Sequence, residues 1–251
     1  MSRFPQDLAE RLASADSIAV LTGAGISAES GIPTFRDPGG LWEQMRPEEL
    51  ANFGAFLANP KLVQGWYAHR RHIVEEAQPN AAHAALAELE DLCHDFTLVT
   101  QNVDNLHRRA GSRNIVELHG NIMHNYCASC GREAGETDLE TPSEDGLFCC
   151  PSCGGLIRPD VVWFGEMLPE GAFEAADAAA RRADVFLSVG TSAIVYPAAA
   201  LPGTAKVHGA YVAEINIRES AIADEVDELV LGPAAGTLPE LVRCVKKIQG
   251  G

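Results

Sequence analysis

Short apolar runs rich in β-branched residues alternate with amphipathic stretches along most of the chain. Ser17-Ile-Ala-Val-Leu-Thr22, Phe96-Thr-Leu-Val-Thr100, Ile115-Val-Glu-Leu118, Val185-Phe-Leu-Ser-Val189, Tyr211-Val-Ala-Glu-Ile-Asn-Ile217 and Glu228-Leu-Val-Leu231 are brief and mostly apolar. That is the pattern of buried parallel strands. Several stop at a polar or glycine cluster: Gly23-Ala-Gly25, Gln101-Asn-Val-Asp104, His119-Gly120 and Gly190-Thr-Ser192. Helices are predicted between them. One starts after Gly25; Asn59 caps a second, with Pro60 at its first position, running to about Gln78; Asn80 caps a third to about Cys93. An alanine-rich helix follows from about Pro169 to Arg182, and a closing helix from about Thr237 to Gln249, while Val161-Val-Trp-Phe164 reads as extended. Strands alternating with helices predict an α/β fold, a Rossmann-like doubly wound parallel sheet whose ligands bind at the carboxyl ends of its strands.

One segment breaks the alternation. From about 124 to 156 the chain is rich in Gly, Pro, Ser and acidic residues, and it carries Cys127-Ala-Ser-Cys130 and Cys150-Pro-Ser-Cys153, nineteen residues apart. Two such pairs turn four thiolates toward one metal, so a structural zinc site on Cys127, Cys130, Cys150 and Cys153 is expected. Paired disulfides are the alternative. Seven cysteines are an odd number, and the start Met1-Ser-Arg-Phe-Pro5 shows no basic-then-apolar leader, so a reducing, cytoplasmic setting is expected instead. Cys149 adjoins Cys150 but lacks the x-x spacing to Cys153, and Cys93 and Cys244 read as small core residues. The predicted organisation is a nucleotide-binding domain of residues 1–123 and 157–251, with a helical insertion at about 37–78, and a small zinc-ribbon domain at 124–156.

Composition narrows the function. With 46% hydrophobic residues in 251, the chain can bury one full core plus a smaller module. No apolar run reaches the roughly 18 to 20 residues of a membrane span. Nineteen Lys and Arg against 35 Asp and Glu give a formal charge of −16, which repels nucleic acid and argues against a DNA-binding finger. A basic substrate suits this charge, although acidity also serves plain solubility.

Gly23-Ala-Gly25-Ile-Ser-Ala28 fits the glycine fingerprint that brings backbone N–H groups to a pyrophosphate. The acid that would bind ribose hydroxyls after the second strand is missing; Gln101, Asn102 and Asp104 stand there instead, as nucleotide ligands or as loop and cap residues. An ordinary dehydrogenase is therefore disfavoured. His119, ending an apolar strand beside a glycine, is the best-placed general base, with a packed histidine as the competing reading. His69, His72, His83, His94, His124 and His208 read as ordinary helix-face or loop residues, and His107 fits either class. With no G-x-S-x-G elbow and no lysine near these turns, covalent catalysis is not indicated.

Taken in order, Gly23 through Arg36, Gly40-Leu-Trp42, Thr100 through His107, His119-Gly120, the cysteine pairs, Val161 through Glu166, Gly190-Thr-Ser192, Asn216 and Gly232-Pro-Ala234 closely resemble the sirtuin family of NAD-dependent protein lysine deacylases. The resemblance spans nearly the whole chain and implies NAD as a consumed co-substrate. Gly23, Ala24, Gly25, Gly190, Thr191, Ser192, Asn216 and Ala234 would line the adenosine and phosphate path; Phe35, Arg36, Gln101, Asn102 and Asp104 would surround the nicotinamide ribose. The acyl oxygen of a substrate lysine would attack that ribose, nicotinamide would leave, and His119 would deprotonate the ribose hydroxyls. Products would be free lysine, nicotinamide and O-acyl-ADP-ribose. Val162, Trp163, Phe164 and Gly165 would hold an acylated lysine presented on an extended peptide. The implied protein is a prokaryote-like monomer bound to neither membrane nor nucleic acid. Rival readings are an ADP-ribosyltransferase using the same pocket and a zinc-ribbon module without chemistry. Finally, Tyr67 and Arg70 lie three apart on the second helix and share a face. A Tyr-x-x-Arg pair here resembles the subgroup that removes succinyl and malonyl groups, because the guanidinium fork matches a distal carboxylate.

Overall fold

The computed structural model describes residues 6–34 and 50–250. Phe35, Arg36, Gly40 and Trp42 lie outside them, as does the first part of the expected helical insertion. Six strands form one parallel sheet in the order β3-β2-β1-β6-β7-β8: β1 (Ser17–Thr22), β2 (Asp95–Thr100), β3 (Ile115–Glu117), β6 (Val185–Val189), β7 (Tyr211–Asn216) and β8 (Glu228–Leu231). Period-two alternation feeds both faces. Ile18 and Val20 of β1 point into a core with Leu8 and Leu12 of α1 (Gln6–Ser14), Leu86 and Leu89 of α4 (Ala81–Leu92) and Leu238 and Leu241 of α8 (Ala234–Gln249). Ala19 and Leu21 point the other way, toward Ala176 and Ala179 of α6 (Ala172–Arg182) and Leu201 of α7 (Leu201–Val207). Asn59 and Asn80 cap their helices as the sequence predicts: Asn59 accepts from Leu62 N at 3.2 Å and Asn80 from Ala82 N at 2.9 Å.

The order of strands reverses at β1, which lies between β2 and β6, so a crevice opens at the carboxyl ends of these strands. Two expectations change here. The segment after Gly25 is a 3₁₀ helix, Ala24–Ser30, rather than the start of an α-helix. The extended stretch expected at Val161–Phe164 instead falls earlier, as β5 (Ile157–Val161), and pairs antiparallel with β4 (Gly120–Cys127) outside the parallel sheet. The cysteine-bearing hairpin thus begins at Gly120 and returns at Val161, wider than 124–156. It packs with α2 (Phe53–Ala58) and α3 (Pro60–Glu76) around a third apolar cluster of Phe56, Val63, Tyr67, Ile122 and Trp163.

Candidate active site

The two glycine turns interlock at the head of the crevice. Gly25 N donates to Gly190 O at 2.8 Å and Gly23 N to Val189 O at 3.1 Å. A Cβ on Gly25 would sit 2.7 Å from the Gly190 carbonyl oxygen, and Gly190 itself is left-handed at φ 59°. These glycines let one turn pass against the other, a packing demand that stands beside any demand from a phosphate.

Around the turns the polar groups bind one another. Asn102 Nδ2 donates to Gly23 O at 3.1 Å and to Ser27 Oγ at 3.2 Å; the Ser27 hydroxyl donates to Asp104 Oδ2 at 2.6 Å. Asp104 also caps α5 (Leu106–Arg109), accepting from Leu106 N at 3.0 Å, so its loop role and its place in the cleft coexist. Burial raises the pKa of this carboxyl. Gln101 Nε2 reaches Thr191 Oγ1 at 3.0 Å, and Asn216 Nδ2 reaches Thr191 O at 3.0 Å. Beneath them runs a buried chain: Asn102 N donates to Thr100 Oγ1 (3.0 Å), as does Thr22 Oγ1 (2.8 Å), and Thr22 Oγ1 meets His107 Nε2 at 3.0 Å.

His119 follows β3 with Nδ1 3.1 Å from Gln101 O. A carbonyl only accepts, so Nδ1 carries the proton and Nε2 keeps its lone pair. Burial lowers the pKa of the ring, which holds it neutral and basic at physiological pH. His83 corrects the sequence reading, and His107, left open there, proves to be buried. His83 is fully buried rather than an ordinary helix-face residue, with Nε2 3.4 Å from Ser27 Oγ, and His107 is buried beside it at a ring separation of 4.9 Å. Burial pushes His83 down to about 4 and His107 to about 3.

The opposite wall is aromatic. Trp163, 2% exposed, donates its indole N–H to the Tyr67 oxygen at 2.8 Å, and the Arg70 guanidinium lies 4.9 Å from the centre of the Trp66 ring. Burial pushes the Tyr67 phenol up to about 12, and both it and Arg70 are buried. Backbone N–H groups of Val162 and Phe164 are already spent on His119 O and Ala51 O, and that of Trp163 on Glu166 Oε2.

The glycine turns, the groups tied to them and the Tyr67–Arg70–Trp163 wall share one cleft of about 550 Å³, while Thr22, Thr100, His83, His107 and Trp66 lie behind it. Of the residues expected to bind nucleotide, Gly23, Ala24, Gly25, Gln101, Asn102, Asp104, Gly190, Thr191, Ser192 and Asn216 line it; so do His119, Tyr67, Arg70 and Val162 through Gly165. Ala234 does not. It opens α8 with its side chain in the core behind the sheet, because the first turn of that helix packs inward. Sequence reasoning missed Ser27, the hub of the Asn102–Asp104 contacts, and Arg218, a cation at the rim beside Asn216.

Away from the cleft, the Sγ atoms of Cys127, Cys130, Cys150 and Cys153 lie within 4.8 Å of one another, with Cys127–Cys153 at 3.5 Å and Cys130–Cys150 at 3.8 Å. Zn–S bonds of about 2.3 Å in a tetrahedron require sulfur separations of about 3.8 Å, so this set fits zinc with no open position for catalysis. Cys149 stays outside it, bridged through its backbone to Leu156. Arg132 donates to Cys150 Sγ and holds that thiol well below its ordinary range, favouring the thiolate a metal needs.

A parallel nucleotide-type sheet with a neutral histidine in its crevice and an inserted four-cysteine ribbon defines the class. Residues 23–197 match the Sir2 family, and the chain belongs to it. It is 51% identical over 241 residues to NAD-dependent protein deacylase 2 of Pyrobaculum aerophilum, covering 96% of each chain. It is 49% identical over 242 residues to NAD-dependent protein deacylase 1 of Pseudomonas aeruginosa, covering 93% of this chain and 96% of that one. Among solved structures it resembles a Sir2 homolog–NAD complex at TM-score 0.91 and 47% identity, over 99% of this chain and 96% of that one. It also resembles a Sir2–p53 peptide–NAD+ complex at TM-score 0.84 and 33% identity, over 97% and 98%.

Proposed function

We propose that this protein is an NAD-dependent protein lysine deacylase whose tunnel also accepts succinyl and malonyl groups. The observation that carries the reading is the meeting of His119, neutral and anchored through Nδ1, with the Gln101–Asn102–Asp104 cluster and the interlocked glycine turns in one cleft. Nucleotide is held by the turns, Asn216 and the Thr191–Ser192 segment; Phe35 and Arg36, which lie outside the described residues, are assigned to the nicotinamide end by the family resemblance alone. The acyl oxygen of the substrate lysine attacks the anomeric carbon of the nicotinamide ribose and nicotinamide leaves. His119 Nε2 then accepts a proton from the ribose hydroxyls, so that the 2′ oxygen takes the acyl carbon. With one water consumed, the products are free lysine, nicotinamide and O-acyl-ADP-ribose. The zinc, held by the four cysteines, supplies folding free energy to the ribbon and takes no part in these steps.

The finer reading rests on Tyr67 and Arg70, which bring a phenol and a guanidinium into the same cleft as His119. An acyl chain ending in a carboxylate would meet that fork, whereas an acetyl group ends short of it. The formal charge of −16 suits lysine-bearing, basic targets presented as extended peptide. We take the protein to be a cytoplasmic monomer that binds no nucleic acid, with the sheet domain and the 124–156 ribbon as its working units; among the described residues no helix is long and apolar enough to cross a membrane. ADP-ribosyl transfer to protein is not favoured, since the similar curated proteins carry deacylase names. The test is a panel of acetyl-, succinyl- and malonyl-lysine peptides with NAD, read by mass spectrometry of peptide and nucleotide products. Labelled ADP-ribose on protein without deacylated peptide would refute the assignment.

A further inference from the structure

We infer that Trp163, clamped by the Arg158–Glu166 ion pair, is a positioning residue that aims the Tyr67 hydroxyl into the acyl end of the cleft and thereby helps set which acyl group is removed. This rests on the reading of Tyr67 and Arg70 as the acyl-selecting pair. A phenol oxygen can accept one hydrogen bond and donate another. Here the accepted bond comes from the Trp163 indole N–H at 2.8 Å, and no group among the described residues accepts from the Tyr67 hydroxyl. The acceptor side is occupied, so the hydroxyl hydrogen is left for whatever enters the cleft that Tyr67 lines. Donation from the indole also polarises the phenol and makes it a stronger donor. If the indole N–H were missing, the hydroxyl would be free to rotate, and an entering carboxylate would have to order it at its own expense.

The indole itself is fixed from three sides. The main-chain N–H of Trp163 donates to Glu166 Oε2 at 2.8 Å. The Arg158 guanidinium stacks on the ring 3.6 Å from its centre, and Phe56 packs against it at a centroid distance of 5.2 Å. Arg158 is held by a two-pronged contact to Glu166, Nη1 to Oε1 at 2.5 Å and Nη2 to Oε2 at 2.9 Å, with Nη2 also donating to Val161 O at 2.9 Å. At 3% exposure Arg158 is removed from solvent, so this pair is a fixed strut and not a screened surface contact. The strut joins β5 of the cysteine hairpin to the segment that follows it, and Trp163 of that segment in turn reaches Tyr67 of α3. It places a ring nitrogen, contributed by the segment expected to hold the substrate, on the one polar tip of Tyr67.

The experiment measures kcat/KM with NAD for succinyl-lysine and acetyl-lysine peptides in four holoenzymes: wild type, Tyr67→Phe, Trp163→Phe and the double variant. Trp163→Phe keeps an aromatic ring but loses the N–H. The expected result is a succinyl-to-acetyl ratio that falls about tenfold in Tyr67→Phe and roughly three- to fivefold in Trp163→Phe, with no further fall when Trp163→Phe is added to Tyr67→Phe. A ratio unchanged by Trp163→Phe, or lowered by the same factor in both backgrounds, would overturn the inference and leave the Tyr67–Arg70 reading standing. A wild type with no preference for succinyl over acetyl would overturn that reading and the inference with it. Should Trp163→Phe fail to fold, Glu166→Gln loosens the same strut and is judged by the same ratio.

Discussion

The two walls of the cleft are built on different principles. On the sheet side every named polar group is tied to another: Asn102 to Gly23 and Ser27, Ser27 to Asp104, Gln101 and Asn216 to Thr191, His119 to the Gln101 carbonyl. These groups sit at strand ends and glycine turns fixed by a sheet buried on both faces. On the opposite wall a helix and the cysteine hairpin present an aromatic surface with few polar tips, chiefly Tyr67 and Arg70. The contrast teaches where each task resides. On the proposed function, chemistry common to all acyl groups would belong to the sheet edge and choice among acyl groups to the wall formed by the insertions, which could change without disturbing the proton transfer.

Metal removal should separate the walls most completely. The sheet domain owns its two apolar cores, whereas the hairpin relies on four thiolates, and structural zinc sites contribute about 10 to 16 kcal/mol of folding free energy. Chelation, or Cys127→Ser, should abolish activity toward every acyl peptide and melt the hairpin. Metal analysis should find one zinc per chain, and metal-free protein that stays folded and active would break the comparison.

His119→Ala should come next, lowering kcat on acetyl and succinyl peptides alike by roughly 10² to 10⁴, the usual worth of a general base, while NAD binding stays within a few fold. Calorimetry with NAD beside steady-state rates makes the check. Loss on one substrate alone would misplace the base.

Arg70→Met should act on one wall only. Loss of a charge-assisted contact to a distal carboxylate costs on the order of 2 to 3 kcal/mol, about a hundredfold in kcat/KM for succinyl-lysine peptides, with deacetylation intact or improved. Equal losses on both substrates would erase the division of labour.

How much of this was legible follows the same division. The six strands of the parallel sheet, the glycine turns and the cysteine pairs are short-range patterns, and they fall where the sequence predicts. His119 could be singled out because it ends an apolar run. His83 could not be read as a loop-like residue with profit, since it stands three before Leu86 on the buried face of α4 and belongs to the core behind Ser27. Ser27 itself carries no local signal; its importance comes from partners 75 and 77 residues away. The shift of the extended segment to Ile157–Val161, and its pairing with β4, likewise depends on a long-range hairpin that periodicity does not encode.

The smallest expected effects concern pH. Burial lowers the His119 pKa, so the base remains deprotonated to lower pH than an ordinary histidine, and the acid limb of the kcat/KM profile should fall below about 6.5. His83 and His107 have folded pKa values of about 4 and about 3, below the unfolded value of about 6.5. Their contribution to stability is full above 6.5 and is lost as pH falls toward 4 and then 3, because the unfolded chain binds the extra protons. Thermal melts from pH 7 to pH 4 should show Tm declining across this window, and less so in His83→Asn. A flat Tm would contradict the buried, neutral state of both rings.

The most direct measurement of the central claim is a single-turnover reaction of purified protein with NAD and a succinyl-lysine peptide, followed by mass spectrometry of both peptide and nucleotide. The account predicts free lysine on the peptide, nicotinamide and O-succinyl-ADP-ribose in equal amounts; in His119→Ala free lysine and the ester are lost together, while nicotinamide, which leaves before the base acts, is still released. Free succinate in place of the ADP-ribose ester, or peptide release that does not require NAD, would contradict it.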